Sequence, residues 1–216
     1  MLQTLLHLIY PPKCPFCQKP SPSAEPALCP KCRKTLPWTE GVFRGDGFSR
    51  GVYTLQYKDA VRESLLRYKF SGRSAYERVY GELLAETIAE RLAGAFDLVS
   101  YVPVSRRTLR SRGYDQAKLL AQSVARIYGV KAVTTLRKIR SNRKQSKLSD
   151  AKARRENVRG VYEAVDPTQF AGKRVLLIDD IVTTGATLSS AAQTLQAAGA
   201  ADVVCAALAG GAQANK

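Results

Sequence analysis

Apolar positions along this chain switch between two periods. Val175 to Ile178 is a continuous apolar run, the pattern of a strand covered on both faces. Asp179 and Asp180 follow at its carboxyl end, then the small polar loop Thr183-Thr184-Gly185-Ala186-Thr187. From Thr187 the period lengthens, and Leu188, Ala191, Ala192, Leu195 and Ala198 share one helical face. The same alternation runs upstream. Val52 to Tyr57 reads as a strand, and Asp59 to Phe70 as a helix capped by Asp59 and stopped at Ser71-Gly72. A second helix is expected from about Ala75 to Leu92 and a strand from Asp97 to Val104, then a basic loop from Ser105 to Gly113. A helix with Ala117, Leu120, Ala121, Val124 and Ile127 on one face comes next, before a weak strand over Ala132 to Leu136. Residues 33 to 50, with Pro37, Gly41, Gly45 and Gly47, read as a connector. The apolar run Val203 to Leu208, around the lone Cys205, reads as the last strand. Strands alternating with helices predict an α/β fold, a mainly parallel sheet flanked by helices with the ligand loop at a strand's carboxyl end.

The front of the chain follows neither period. Cys14-Pro-Phe-Cys17 and Cys29-Pro-Lys-Cys32 are two CxxC pairs that can close a tetrahedral four-sulfur site. The intervening Pro-, Ser- and Ala-rich loop cannot build a core, so a metal would hold it. Disulfides and an iron–sulfur cluster are the alternatives; structural zinc suits the spacing better. All four positions are filled by protein, so the metal is scaffolding rather than catalytic. Met1 to Tyr10 is apolar but short, ends in Pro11-Pro12 and lacks a basic flank, which argues for a packed helix over a signal peptide. No apolar stretch approaches the roughly 20 residues of a membrane span, and the chain reads as cytoplasmic. Its 216 residues then divide into a zinc-binding head with connector, 1–45, and an α/β domain, 46–216.

Charge changes the picture further. The chain carries +16, and seventeen of its 34 Lys and Arg lie in residues 101 to 160 against only three acids, Asp115, Asp150 and Glu156. A field so concentrated attracts polyanions, whether pyrophosphate or nucleic acid. Arg137, Lys138, Arg140, Arg143, Lys144 and Lys147 are candidate contacts to a single strand. The aromatics of this stretch, Tyr101, Tyr114 and Tyr128, are too few for a base-stacking platform, so backbone contacts with strong salt dependence are expected.

The loop 183–187 lacks the Lys of a nucleotide-triphosphate loop. Its backbone N–H groups at a helix N-terminus suit a phosphate dianion, and two adjacent acids suit vicinal ribose hydroxyls and a divalent metal. The run from Val175 to Leu188 resembles the phosphoribosyl-diphosphate (PRPP) motif of type I phosphoribosyltransferases. That resemblance implies that Asp179 and Asp180 hold the ribose and Mg, that Thr183, Thr184, Gly185, Ala186 and Thr187 hold the 5-phosphate, and that PRPP or a related sugar phosphate is the ligand. Arg106, Arg107, Arg110 and Arg112, on the loop after Val104, would face the pyrophosphate.

The resemblance extends along most of the chain. Tyr57-Lys-Asp-Ala-Val-Arg with Lys69-Phe-Ser-Gly72, Arg112-Gly-Tyr-Asp-Gln-Ala117, and Gln145-Ser-Lys-Leu148 with Arg154-Arg-Glu-Asn-Val158 are similar to the ComF family, which includes the competence-associated and GntX-like proteins. Asp115 departs from it, standing where members often have Asn. Membership implies a type I phosphoribosyltransferase fold behind a zinc head, and a role in handling single-stranded DNA during natural transformation beside a helicase-like partner. An active transferase, passing the phosphoribosyl group to an acceptor the sequence does not name, is the alternative. No base for that reaction is evident, because the only His is His7, remote in sequence.

Overall fold

A strand that is apolar on both faces must be covered on both, and this requirement organises the computed structural model, which describes residues 11–21, 25–140, 160–211 and 213–214. The main sheet has five strands: β1 (Trp38–Phe43), β2 (Arg50–Gln56), β3 (Leu98–Tyr101), β6 (Arg174–Val182) and β7 (Asp202–Gly210), in the order β1-β2-β7-β6-β3. β1 is antiparallel to β2, and every other pairing is parallel. The expected, mainly parallel α/β architecture is the one observed.

Side chains alternate across β6 with the period of two that a pleat imposes. Leu176 and Ile178 enter a core shared with α3 (Glu77–Arg91) and α5 (Gln116–Tyr128), whereas Val175 and Leu177 enter the core beneath α6 (Ala186–Ala197). All four are 0% exposed. Burying each contributes about 1.5–3 kcal/mol. α2 (Asp59–Phe70) closes the first face. A separate two-stranded ribbon, β4 (Leu136–Lys138) antiparallel to β5 (Tyr162–Ala164), lies over the second, against α6.

Several expectations are corrected. The connector over 33–50 begins inside α1 (Pro30–Thr35) and contains the edge strand β1, whose irregular register at Trp38/Gly41 hid its period. The basic loop after Val104 is the helix α4 (Arg106–Arg112): Ser105 caps it by accepting from the Thr108 N–H at 3.1 Å, and Gly113 ends it at φ 82°. Asp59 makes no capping bond and lies inside α2, where its charge favours the helix N-terminus. Ile127 is 52% exposed and not part of the buried face of α5. The weak strand over 132–136 is displaced to β4, with Ala132 making a single bridge to Val99. Residues 1–10, including His7 and the expected N-terminal helix, lie outside the described residues.

Candidate functional site

β6 does not stop at the acids. It continues to Val182, so Asp179 and Asp180 are interior strand residues and leave opposite faces of the sheet. Asp180, 7% exposed, turns toward α2 and is met by Lys69 Nζ at 2.9 Å. Asp179 turns toward the ribbon and accepts from the Asp180 N–H at 2.8 Å. It keeps some solvent contact, yet burial pushes its carboxyl up to about 8, the Asp180 charge adds to this, and Lys69 opposes it. Lys69 was not foreseen as a site residue. The motif Lys69-Phe70-Ser71-Gly72 marked the family, but nothing local in it points at an acid 111 positions away.

The loop after β6 forms as its composition requires. Thr183 and Thr184 are exposed, and Gly185 is buried with φ 73°, a left-handed conformation that resists a Cβ. α6 starts at Ala186 after a glycine that offers no side-chain cap, and Thr184 Oγ1 reaches the Ala186 N–H only at 3.5 Å, so the first turn keeps N–H groups directed out of the helix end. A phosphate can take the place of a cap there.

The loop after β3 leaves the sheet at the same carboxyl rim, because β3 and β6 are parallel neighbours. α4 and the end of α2 enclose a cleft of about 400 Å³ lined by Lys69, Phe70, Arg107, Thr108, Ser111 and Arg112, together with Gly72. Of the four arginines expected on the anion, Arg107 and Arg112 line this cleft; Arg106 and Arg110 are exposed and do not. Asp115, whose departure to an acid left its role open, is 8% exposed. One of its oxygens accepts from the Val104 N–H at 2.9 Å and the other from the Lys118 N–H at 3.1 Å. It caps α5 and pins the strand exit that leads into α4. Burial raises its pKa, and the two N–H donors oppose that rise.

The cationic stretch is less open than its charge suggests. Arg137 pairs with Glu163 at 2.7 Å. Lys138 is half-buried, with its ammonium 5.5 Å from the centre of the Tyr162 ring; burial lowers its pKa and Asp179 holds it up. The Tyr162 hydroxyl, buried under it, has no hydrogen-bond partner among the described residues. Arg140 is exposed. Arg143, Lys144 and Lys147 lie outside the described residues. The β4–β5 register sets Lys138 opposite Tyr162, and both feel the Asp179 charge.

The four cysteines Cys14, Cys17, Cys29 and Cys32 come together, their sulfurs within 4.8 Å of one another and Cys17 Sγ 3.6 Å from Cys29 Sγ. Tetrahedral zinc with bonds of about 2.3 Å needs sulfur separations of about 3.8 Å. The Cys32 N–H donates to Cys29 Sγ at 3.4 Å and lowers the Cys29 thiol to about 7, whereas burial pushes Cys32 up. A divalent cation supplies the charge that buried thiolates lack, so the donor set fits zinc. The knuckle is also docked on the main core: Pro15 O accepts from Ser64 Oγ at 2.6 Å and from Arg67 at 3.0 Å, and Phe16 packs 5.8 Å from Tyr80.

Comparison with known proteins agrees with this arrangement. The phosphoribosyl transferase domain family matches residues 108–216, and the double zinc ribbon domain family matches residues 5–43. The chain is 31% identical over 197 residues to the DNA utilization protein YhgH of Salmonella typhimurium, covering 88% of this chain and 80% of that protein. It is 29% identical over 192 residues to competence protein ComFC of Streptococcus pneumoniae, covering 88% and 77%. It is also 29% identical over 187 residues to ComFC of Bacillus subtilis, covering 84% and 70%. With a phosphoribosyltransferase-type sheet carrying an acidic pair and a Thr-Gly loop, behind a four-cysteine structural zinc ribbon, the chain belongs to the ComF family.

Proposed function

We propose that this protein binds PRPP, or a related sugar phosphate, with Mg in a pocket on the sheet's carboxyl rim. We further propose that it binds single-stranded DNA through the adjoining basic surface, as part of DNA uptake or utilisation. The observation that supports this most is the position of Lys69, which pairs with Asp180 and also lines the Arg107–Arg112 cleft. It joins the acids to the anion-binding side. In this reading the N–H groups of Thr183 to Thr187 hold the 5-phosphate, Asp179 and Asp180 accept from the ribose hydroxyls, and Arg107 and Arg112 hold the pyrophosphate. When bound with the pyrophosphate, magnesium would supply charge neutralisation beside Asp179 and Asp180. Relatives named as DNA utilization and competence proteins support the DNA role, and the family resemblance adds a helicase-like partner.

One observation favours the transferase alternative. A carboxyl pushed up to about 8 is matched to accepting a proton near neutrality, so Asp179 could serve as the base the sequence lacked. It would take the proton of a nucleophile as that nucleophile bonds the anomeric carbon and pyrophosphate leaves with the electron pair of the broken C–O bond.

The test is fluorescence anisotropy of labelled single-stranded DNA across a salt series, with and without Mg-PRPP, beside a pyrophosphate-release assay over nucleobases. Binding near physiological salt that shifts with PRPP, without turnover, is the expected result; turnover with any base selects the alternative. Asp179→Asn combined with Asp180→Asn should lose Mg-PRPP affinity while staying folded, and unchanged affinity would sink the pocket assignment.

A further inference from the structure

The cleft between α2 and α4 contains one group that a sugar phosphate does not use. Phe70, the last residue of α2, is 67% exposed. On one side its ring faces the Arg112 guanidinium, 4.7 Å from the ring centre. Arg112 is itself fixed, donating at 2.8 Å to Oε1 of Gln116, which is 1% exposed. The arrangement is an aromatic face backed by an immobilised cation and open to the cleft. The remaining lining is cationic or hydroxylic, from Lys69, Arg107, Thr108 and Ser111, and includes no carboxylate.

The tyrosines of the basic stretch are spent on structure. Tyr101 is 6% exposed, the Tyr114 hydroxyl donates to Tyr68 O, and Tyr128 donates to Ala85 O at 3.0 Å. The aromatic available to a ligand therefore comes from outside that stretch. About 400 Å³ accommodates one nucleotide. A base has a π-face for Phe70, and its phosphate suits Arg107 and the hydroxyls; this aromatic-plus-cation pairing is how single strands are held without sequence readout. Pyrophosphate alone has no use for the ring, and an apolar protein segment would have to cover three cations.

We propose that the α2–α4 cleft is a nucleotide-binding site for single-stranded nucleic acid, in which one base stacks on Phe70 and the adjoining phosphate binds Arg107. The proposal rests on the single-strand reading above and moves its first contact from the adjoining surface into the cleft, where Arg107 is shared, so that a strand and the pyrophosphate of PRPP exclude one another. Its test is the affinity of wild type, Phe70→Ala and Phe70→Trp for labelled oligothymidylate and for an abasic phosphodiester strand of equal length. Wild type should prefer the base-bearing strand roughly tenfold. Phe70→Ala should bind both strands alike with an unchanged salt slope, because the slope counts phosphate contacts. Phe70→Trp should restore the preference, with indole fluorescence quenched by oligothymidylate only, measured against a wild type whose single Trp is Trp38. If wild type binds both strands equally, the single-strand reading stands and the stacking site is overturned. If it binds neither at moderate salt, the reading itself fails and takes the site with it.

Discussion

Asp179 is the residue of the candidate site whose carboxyl burial perturbs upward. The folded chain holds its proton more tightly than the unfolded chain, since burial and Asp180 push the carboxyl up to about 8. The native state therefore binds more protons between about pH 4 and pH 8, and this contribution to stability falls as pH rises through that window. Asp179→Asn has no such proton to lose. It should melt higher than wild type by on the order of a few degrees near pH 8, with the gap closing toward pH 4. Thermal melts of both proteins across that range check the sign, and a gap constant with pH would show that the proton is not the cause. A bound cation or ribose hydroxyl, by stabilising the ionised form, would expel this proton. That two adjacent acids follow an apolar strand was legible in the residues. Their divergence to opposite faces was not, because it depends on β6 continuing to Val182, beyond the apolar run.

Individual elements depend on a few local devices. Gly185 turns the chain from β6 into α6 at φ 73°, and a Cβ added there meets nothing closer than Arg44 O at 3.5 Å, so the conformation rather than the space demands glycine. Gly185→Ala should cost about 1 kcal/mol by urea denaturation and weaken phosphate-ligand affinity as the turn relaxes. Asp115 bonds two N–H groups on separate oxygens, capping α5 and fixing the exit from β3. Asp115→Ala removes both bonds and should cost about 1–3 kcal/mol, with Asp115→Asn recovering part of it. Equal stability of wild type and Asp115→Ala would reduce the cap to a coincidence of geometry. Helices with a clear apolar face were read closely from the pattern. α4 was missed because it has no buried residue to carry a period; only Ser105 and Gly113, a cap and a left-handed stop, announce it.

At the scale of the whole molecule, the zinc head and the site are mechanically continuous. Pro15 O and Phe16 O accept from Ser64 and Arg67 of α2, and the last residues of that helix, Lys69 and Phe70, reach the acid and line the cleft. Cys29→Ser, or chelation, should release one equivalent of zinc, lower the melting temperature and weaken Mg-PRPP binding together. Metal analysis beside melting and binding curves tests this; loss of zinc with unchanged PRPP affinity would make the head an independent module. Long-range charge also belongs to this scale, since the excess of 101–160 attracts polyanions from any direction. Which cations face a ligand is set by packing, with Arg137 engaged by Glu163 and Lys138 held against the Tyr162 ring.

Local chemistry was legible in the residues alone. Two CxxC pairs define a four-sulfur site, an apolar run defines a buried strand, and a Thr-Gly turn before a periodic helix defines a strand-to-helix turn, because each of these needs only neighbours within a few residues. Tertiary structure decided which distant groups meet. Lys69 with Asp180, Phe70 with Arg112, Lys138 with Tyr162, and the zinc knuckle with α2 are contacts between residues far apart in the chain. They exist because parallel strands bring their carboxyl ends to one rim and helices cover both faces of the sheet, and no local pattern encodes which side chains that closure brings into contact.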